Sequence, residues 1–118
     1  MNKNHKLQAY RKGHRAEWFA AVALLLKGYR LAARRFKTPV GEVDLILRKK
    51  DLVVFVEVKA RATQEAALHS ISLTAQQRIS KAADWWLSQQ TDASKLSWRF
   101  DVVAVLPRRW PIHFEDVW

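Results

Sequence analysis

The sequence predicts an α/β fold, a mixed central sheet covered by helices, and three observations predict it. Helical and strand-like periodicities follow the order α-β-β-β-α-β, with a short strand and turn after the last. The second helix falls between the third and fourth strands, and such a crossover makes those two strands parallel. The third strand, LVVFVEV, is apolar on both faces, as a central strand covered from both sides must be.

Each element has its own signals. From about Gly13 to Lys27, Phe19, Val22, Ala23 and Leu26 recur at helical spacing, and Gly28 is placed for a left-handed stop. Residues 29–36, YRLAARRF, read as a first strand that ends before Thr38-Pro39. Residues 42–48 and 52–60 form a hairpin about Lys49-Lys50, without the Asn-Gly or Asp-Gly pair that would specify its turn. Ala62 to Ser70 reads as a polar, small-residue connection. Thr74 and Gln77 have capping-box spacing at the start of the second helix, whose apolar face is Ile79, Ala82, Ala83, Trp86 and Leu87. The strand WRFDVVAV, Trp98 to Val105, stops at Pro107, and the tail WPIHFEDVW holds a short strand and turn. No repeat or linker divides the chain, so residues 1–118 read as one domain, with 1–12 a basic, flexible N-terminal segment.

Composition narrows the function classes. With 49% hydrophobic residues, three Gly and three Pro, the chain is a folded globule. The absence of Cys excludes disulfides and thiolate metal sites and fits a reducing cytoplasm. The net charge of +10, from 21 Lys and Arg against 11 Asp and Glu, favours a polyanionic partner. WFAAVALLL, Trp18 to Leu26, follows a basic start as in a signal peptide, but Glu17 precedes it and Lys27 and Arg30 follow at once. Its nine residues fall well short of the roughly 20 that span a bilayer, so it reads as a folded helix and no membrane segment is expected.

The chemistry concentrates in GEVDLILRKKDLVVFVEVKAR, residues 41–61. If Leu47 pairs with Leu52, Asp44 pairs with Phe55 and Glu42 with Glu57. Side-chain alternation then puts Glu42, Asp44, Phe55, Glu57 and Lys59 on one face, with Asp44 and Glu57 diagonal neighbours. Like charges directly opposite destabilise a sheet, and partly buried carboxylates cost more still. A hard divalent cation resolves that repulsion, because Mg²⁺ binds through one or two carboxylates plus water and phosphate oxygens. Read one at a time, each carboxylate is better explained by a solvated strand end, and Glu57–Lys59 by an edge ion pair; it is their grouping on one face that points to a metal.

The string G-E-V-D, a hairpin and then V-E-V-K resembles the PD-(D/E)XK nuclease superfamily, with Asp44 as the first acid and Glu57-Val58-Lys59 as the E-x-K. RKGHRAEWFAAVALLLKGYRL, the hairpin segment, the Gln76 region and RFDVV together resemble the small bacterial YraN family, which is similar to archaeal Holliday-junction resolvases. The resemblance covers most of the chain and implies a restriction-endonuclease-like fold. It implies a divalent-metal-dependent endonuclease acting on DNA, branched or otherwise structured, with RNA the other candidate nucleic acid. It further implies that Asp44, Glu57 and the Val58 carbonyl bind Mg²⁺ or Mn²⁺, that Lys59 orients the attacking water, and that Glu17 and Glu42 add carboxylates. Gln76 would support the site, and a homodimer would match two-fold junctions. Ala75 stands where a basic residue is expected at the second helix, which weakens a phosphate contact there.

Basic residues that could follow phosphates are Arg11, Lys12, Arg15, Arg34, Arg35, Lys37, Lys49, Lys50, Arg61, Arg108 and Arg109. Of the six Trp, Trp18, Trp86 and Trp98 fall on or beside core-type patterns, whereas Trp110 and Trp118 read as more open to base stacking. The four His lack metal-ligand spacing, with His69 a candidate substrate contact, and Asp101 reads as a structural strand residue. The alternative to an enzyme is a non-catalytic nucleic-acid-binding module that keeps the fold. A basic protein docking on a membrane surface or a protein partner is a third class, which leaves the carboxylates unexplained.

Overall fold

The computed structural model describes residues 3–118, with side chains from Gly13 onward. Helix α1 (Lys3–Leu26) leads into β1 (Arg30–Thr38), β2 (Gly41–Lys49) and β3 (Leu52–Ala60). Two helices follow, α2 (Gln64–His69) and α3 (Leu73–Ser88), then a 3₁₀ turn (Ala93–Lys95), β4 (Ser97–Val105) and β5 (Ile112–Phe114). The sheet order is β1-β2-β3-β4-β5; β3 and β4 are parallel and the other neighbours antiparallel. The expected mixed sheet and its parallel pair are therefore present.

Strand β3 is covered on both sides, with Val53 to Val56 all at 0% exposure. On one face Val43, Ile46, Val53 and Phe55 pack against Ile79, Ala82, Ala83, Trp86 and Leu87 of α3, the helix face expected from its periodicity. On the other, Leu45, Leu47, Val54 and Val56 pack against Ala20, Ala21 and Leu24 of α1. That corrects the α1 face. Phe19, Val22 and Leu26 point outward, and Trp18 and Leu25 lie exposed beside them. Small alanines let the helix backbone approach the sheet closely, so the stripe that buries is the one with least bulk.

Gly28 ends α1 as expected, at φ 96°. The Gly28 N–H donates to Leu25 O and the Tyr29 N–H to Leu24 O, the paired bonds of a Schellman cap. The helix begins at Lys3 rather than near Gly13, because KNHKLQAYRK holds good helix formers and no Pro. Residues 1–2, and the side chains through Lys12, lie outside the described residues.

Two further expectations change. Ala62 to Ser70 is not all connection. Thr63 Oγ1 accepts the Ala66 N–H at 3.1 Å, and the one-and-a-half-turn α2 buries Ala67 against Ala104 and Leu106. One buried side chain is too few to leave a periodicity. Helix α3 starts at Leu73 on a Ser72 cap, Ser72 Oγ accepting the Ala75 N–H at 3.1 Å, so Thr74 lies inside the helix.

Candidate functional site

The hairpin closes more tightly than expected. Lys49 pairs with Leu52 around a two-residue turn in which Lys50 takes φ 55°, and Leu47 pairs with Val54 rather than Leu52. The register is shifted by two residues, which preserves the expected faces from Leu45 onward; Val43 joins Ile46 on the α3 face, so the alternation of β2 breaks at Asp44. Asp44 is thereby brought against Glu57, and the charge of Glu42 still bears on it.

The ladder does not continue regularly. Its last β2–β3 pair is Leu45 with Val56. Above it the Val58 N–H, which a regular ladder would direct to the Val43 backbone, donates to Asp44 Oδ2 at 2.8 Å. The two strands part at Asp44, and the carboxylate replaces a backbone acceptor at the opening. On β1, Arg35 lies between the pairs Arg34–Leu45 and Phe36–Val43, opposite Asp44, in the left-handed region at φ 53°. At one level of the sheet β1 is thus distorted and β2 leaves β3, whose ladder with β4 runs on unbroken.

Glu57 and Lys59 lie in this opening with little exposure, Lys59 Nζ 3.9 Å from Glu57 Oε1. Burial pushes the Glu57 carboxyl up, hydrogen bonding and charge from Asp44 and the charge of Glu42 add to it, and Lys59 opposes; the result is about 9. The raised Glu57 carboxyl beside Asp44 reflects the repulsion that two adjacent anions would meet there.

Glu17 comes from α1 and is 5% exposed. Arg35 Nε donates to both of its carboxylate oxygens, at 2.7 and 2.8 Å. A small pocket of about 130 Å³ is lined by Glu17, Arg35, Lys37, Glu42, Val43 and Asp44. The fold thus brings Glu17, Glu42 and Asp44 to one pocket, and Asp44, Glu57 and Lys59 to one cleft. Among the described residues, no three His, Asp or Glu side chains converge into a metal-holding group. The donor set that fits a cation is the facing pair Asp44 and Glu57, which suits a hard divalent ion completed by water and phosphate oxygens. Gln76 is half-buried near the start of α3, and its amide reaches Ile71 O at 3.5 Å rather than either carboxylate.

The basic residues divide by position. Arg35 holds Glu17, and Arg34 lies over the Trp18 ring at 4.4 Å. Sequence reading gave both to phosphates and missed the internal role of Arg35, which depends on a partner 18 residues away. Lys49 donates to Lys27 O at 3.0 Å, and Lys50 sits in the hairpin turn. Seven residues of β3 separate that turn from Lys59, about 23 Å. Arg15 and Arg61 instead line a hollow at the C-terminal end of β3, Arg109 lines the next one, and Arg108 is exposed at φ 60°. Arg11 and Lys12 lie outside the described side chains.

Other residues sort similarly. Trp18 and Trp98 are about half exposed, at 49% and 51%, rather than core, and Trp118 stacks on Phe100 at 5.3 Å rather than standing open. Trp86 is buried, Trp110 is exposed and so is His69. Asp101 is the structural residue expected. Fully buried, it accepts from Arg99 at 2.8 Å through both oxygens, pairs with His113 Nε2 at 2.7 Å, and accepts the Asp116 N–H at 3.0 Å. No helix among the described residues is long and apolar enough to cross a membrane.

Residues 16–105, from the start of the α1 contact with the sheet to the end of β4, match the Uncharacterised protein family UPF0102. A UPF0102 protein of Chelativorans sp. (strain BNC1) is 63% identical over 111 residues, covering 94% of this chain and 90% of its own length. Relatives bearing the same family name in Mesorhizobium japonicum and Agrobacterium fabrum are 60% and 56% identical, over 92% and 96% of this chain and 87% and 93% of their own lengths.

Proposed function

We propose that this chain, which belongs to the UPF0102 family, is a divalent-metal-dependent endonuclease of restriction-endonuclease-like fold that hydrolyses phosphodiester bonds in branched or otherwise structured DNA. One observation carries this reading. Where β2 and β3 part, Asp44 and Glu57 face each other with Lys59 Nζ 3.9 Å from Glu57, an arrangement a merely structural sheet has no use for.

Each residue has a task consistent with that chemistry. Asp44 is fixed by the Val58 N–H, so its position does not depend on a flexible side chain. Asp44 and Glu57 would hold Mg²⁺ or Mn²⁺, which supplies a lowered water pKa and charge stabilisation at the phosphate when bound. Lys59 presents a compact ammonium that donates to the attacking water or to a phosphoryl oxygen as charge builds on it. Glu17 positions Arg35, and through it the distorted level of β1 that faces Asp44.

The test is a panel of labelled duplex, single-stranded, flapped and four-way DNA incubated with Mg²⁺, Mn²⁺ or EDTA. Metal-dependent cleavage is expected, lost in Asp44→Ala and Glu57→Ala. Salt-sensitive binding with no cleavage of any substrate would instead support a nucleic-acid-binding module that keeps the fold without the reaction.

A further inference from the structure

Phe19 is large, apolar and 44% exposed beside a hollow that no catalytic role accounts for. The hollow, about 270 Å³, opens between α1 and the C-terminal ends of β3 and β4. Phe19, Ala60, Val105 and Leu106 form its apolar lining, and the guanidinium side chains of Arg15 and Arg61 border it. Trp110 meets the Phe19 ring edge-on, centroids 5.5 Å apart at 74°, which steadies the ring without covering it. An open aromatic wall beside two cations is the composition that receives a flat heteroaromatic ring with a phosphate attached. Ala60 directly follows Lys59 on β3; because strand side chains alternate, the hollow lies on the α1 face and Lys59 on the other, at the same end of the strand.

Resting on the nuclease reading above, we infer that this hollow seats the base of an unstacked nucleotide of a strand that passes round the C-terminal end of β3, its own phosphate lying on Arg15 and Arg61. Bases of an intact duplex are stacked out of reach, and extruding one costs energy that an unpaired or mispaired nucleotide does not require. The preferred substrate is therefore a strand with single-stranded character beside the cut: a flap, a gap, a junction arm or a mismatch. Arg109, lining the neighbouring hollow beyond Leu106 and Pro107, extends the basic track for the strand that leaves.

The experiment is fluorescence anisotropy in EDTA, where nothing is cut. The probes are a short single strand, its duplex, the same strand with abasic positions, and the matching RNA strand. The single strand is expected to bind about tenfold tighter than the duplex and to lose that advantage when its bases are removed. Phe19→Leu keeps apolar bulk but removes the ring face; it is expected to erase the preference with an unchanged melting temperature. Ala60→Leu, which narrows the hollow, should do the same if Phe19→Leu fails to fold. RNA bound with equal dependence on its bases and on Phe19 supports a base pocket indifferent to the sugar. Equal affinity for the intact and abasic strands, or a preference that survives both substitutions, overturns the pocket and leaves metal-dependent cleavage standing. No binding of any strand at low salt overturns both readings.

Discussion

Glu17 has two tasks that a substitution can separate. As the partner of Arg35 it balances a half-buried guanidinium; as a carboxylate lining the pocket with Asp44 it could also reach a metal. Glu17→Gln keeps the shape and removes the charge. It is expected to cost roughly 1–3 kcal/mol in urea unfolding with EDTA present. Glu17→Gln/Arg35→Gln should lose less than the sum of the two single changes, because the orphaned charge is gone. A fully stable Glu17→Gln without cleavage would make Glu17 a ligand instead. At Lys59 the question is geometry. Lys59→Ala should cut cleavage by about 10²–10⁴-fold, and Lys59→Arg should not restore it, because a planar guanidinium cannot take the place of a compact ammonium. The common face of Glu57 and Lys59 was legible in the sequence, since strand alternation has period two and the hairpin register erred by two residues, whereas Asp44 lies where β2 breaks that alternation. Asp44, Glu57 and Lys59 kept their common site although their cross-strand neighbours changed. Arg35 was not legible. Its left-handed backbone and inward turn follow from Glu17 on a distant helix, and neither leaves a local signal.

At the scale of elements, β2 enters the site through Gly41, whose missing side chain is what lets it lie against α3. A Cβ there would stand 2.0 Å from Arg78 O, a backbone atom that cannot swing aside. Gly41→Ala should destabilise by about 1–3 kcal/mol or more, read by denaturant midpoint, and lower cleavage as Glu42 to Asp44 shift. At the other edge, Asp101 joins β4 to β5 and the tail. Burial raises its pKa, but bonds from His113, Arg99 and the Asp116 N–H outweigh burial and hold it at about 2. Its unfolded value is near 3.9, so the folded state gains roughly 2–3 kcal/mol above that pH and loses it as pH falls towards 2. Unfolding followed by circular dichroism should show an acid limb between about pH 4 and 2, flattened in Asp101→Asn, which also melts lower at neutral pH. The sheet and α3 were legible because long elements repeat their pattern. The α1 face was misjudged because bulk suggested Phe19 and Val22, whereas close approach selected Ala20 and Ala21. Helix α2 escaped notice because a single buried Ala67 carries no period.

Across the whole molecule the excess of ten positive charges is unevenly useful. The hairpin end holds Arg48, Lys49 and Lys50, but Arg48 is engaged by Asp92 at 2.6 Å and Lys49 by Lys27 O and the Tyr29 ring. The opposite end gathers Lys37 at the carboxylate pocket, Arg15 and Arg61 at the first hollow, and Arg109 at the second; Arg61 Nη1 donates to Ala60 O at 2.8 Å, which leaves the rest of its fork for a phosphate. On the proposed nuclease reading, a strand cut at Lys59 would cross that second end, and the hairpin turn, about 23 Å along β3, is too far to touch the same few phosphates. Binding should therefore weaken linearly in log K against log salt, with a slope close to one unit per neutralised phosphate. Arg61→Gln/Arg109→Gln should lower affinity for every sequence and flatten that slope by one to about two units. Lys49→Ala/Lys50→Ala should leave the slope nearly as it was, the small change reflecting only the long-range field, which salt screens within about 10 Å. Anisotropy titrations across a range of NaCl concentrations measure both. If the hairpin pair flattens the slope and the Arg61/Arg109 pair does not, nucleic acid approaches the far end of the sheet, and Asp44, Glu57 and Lys59 cannot be where it is cut.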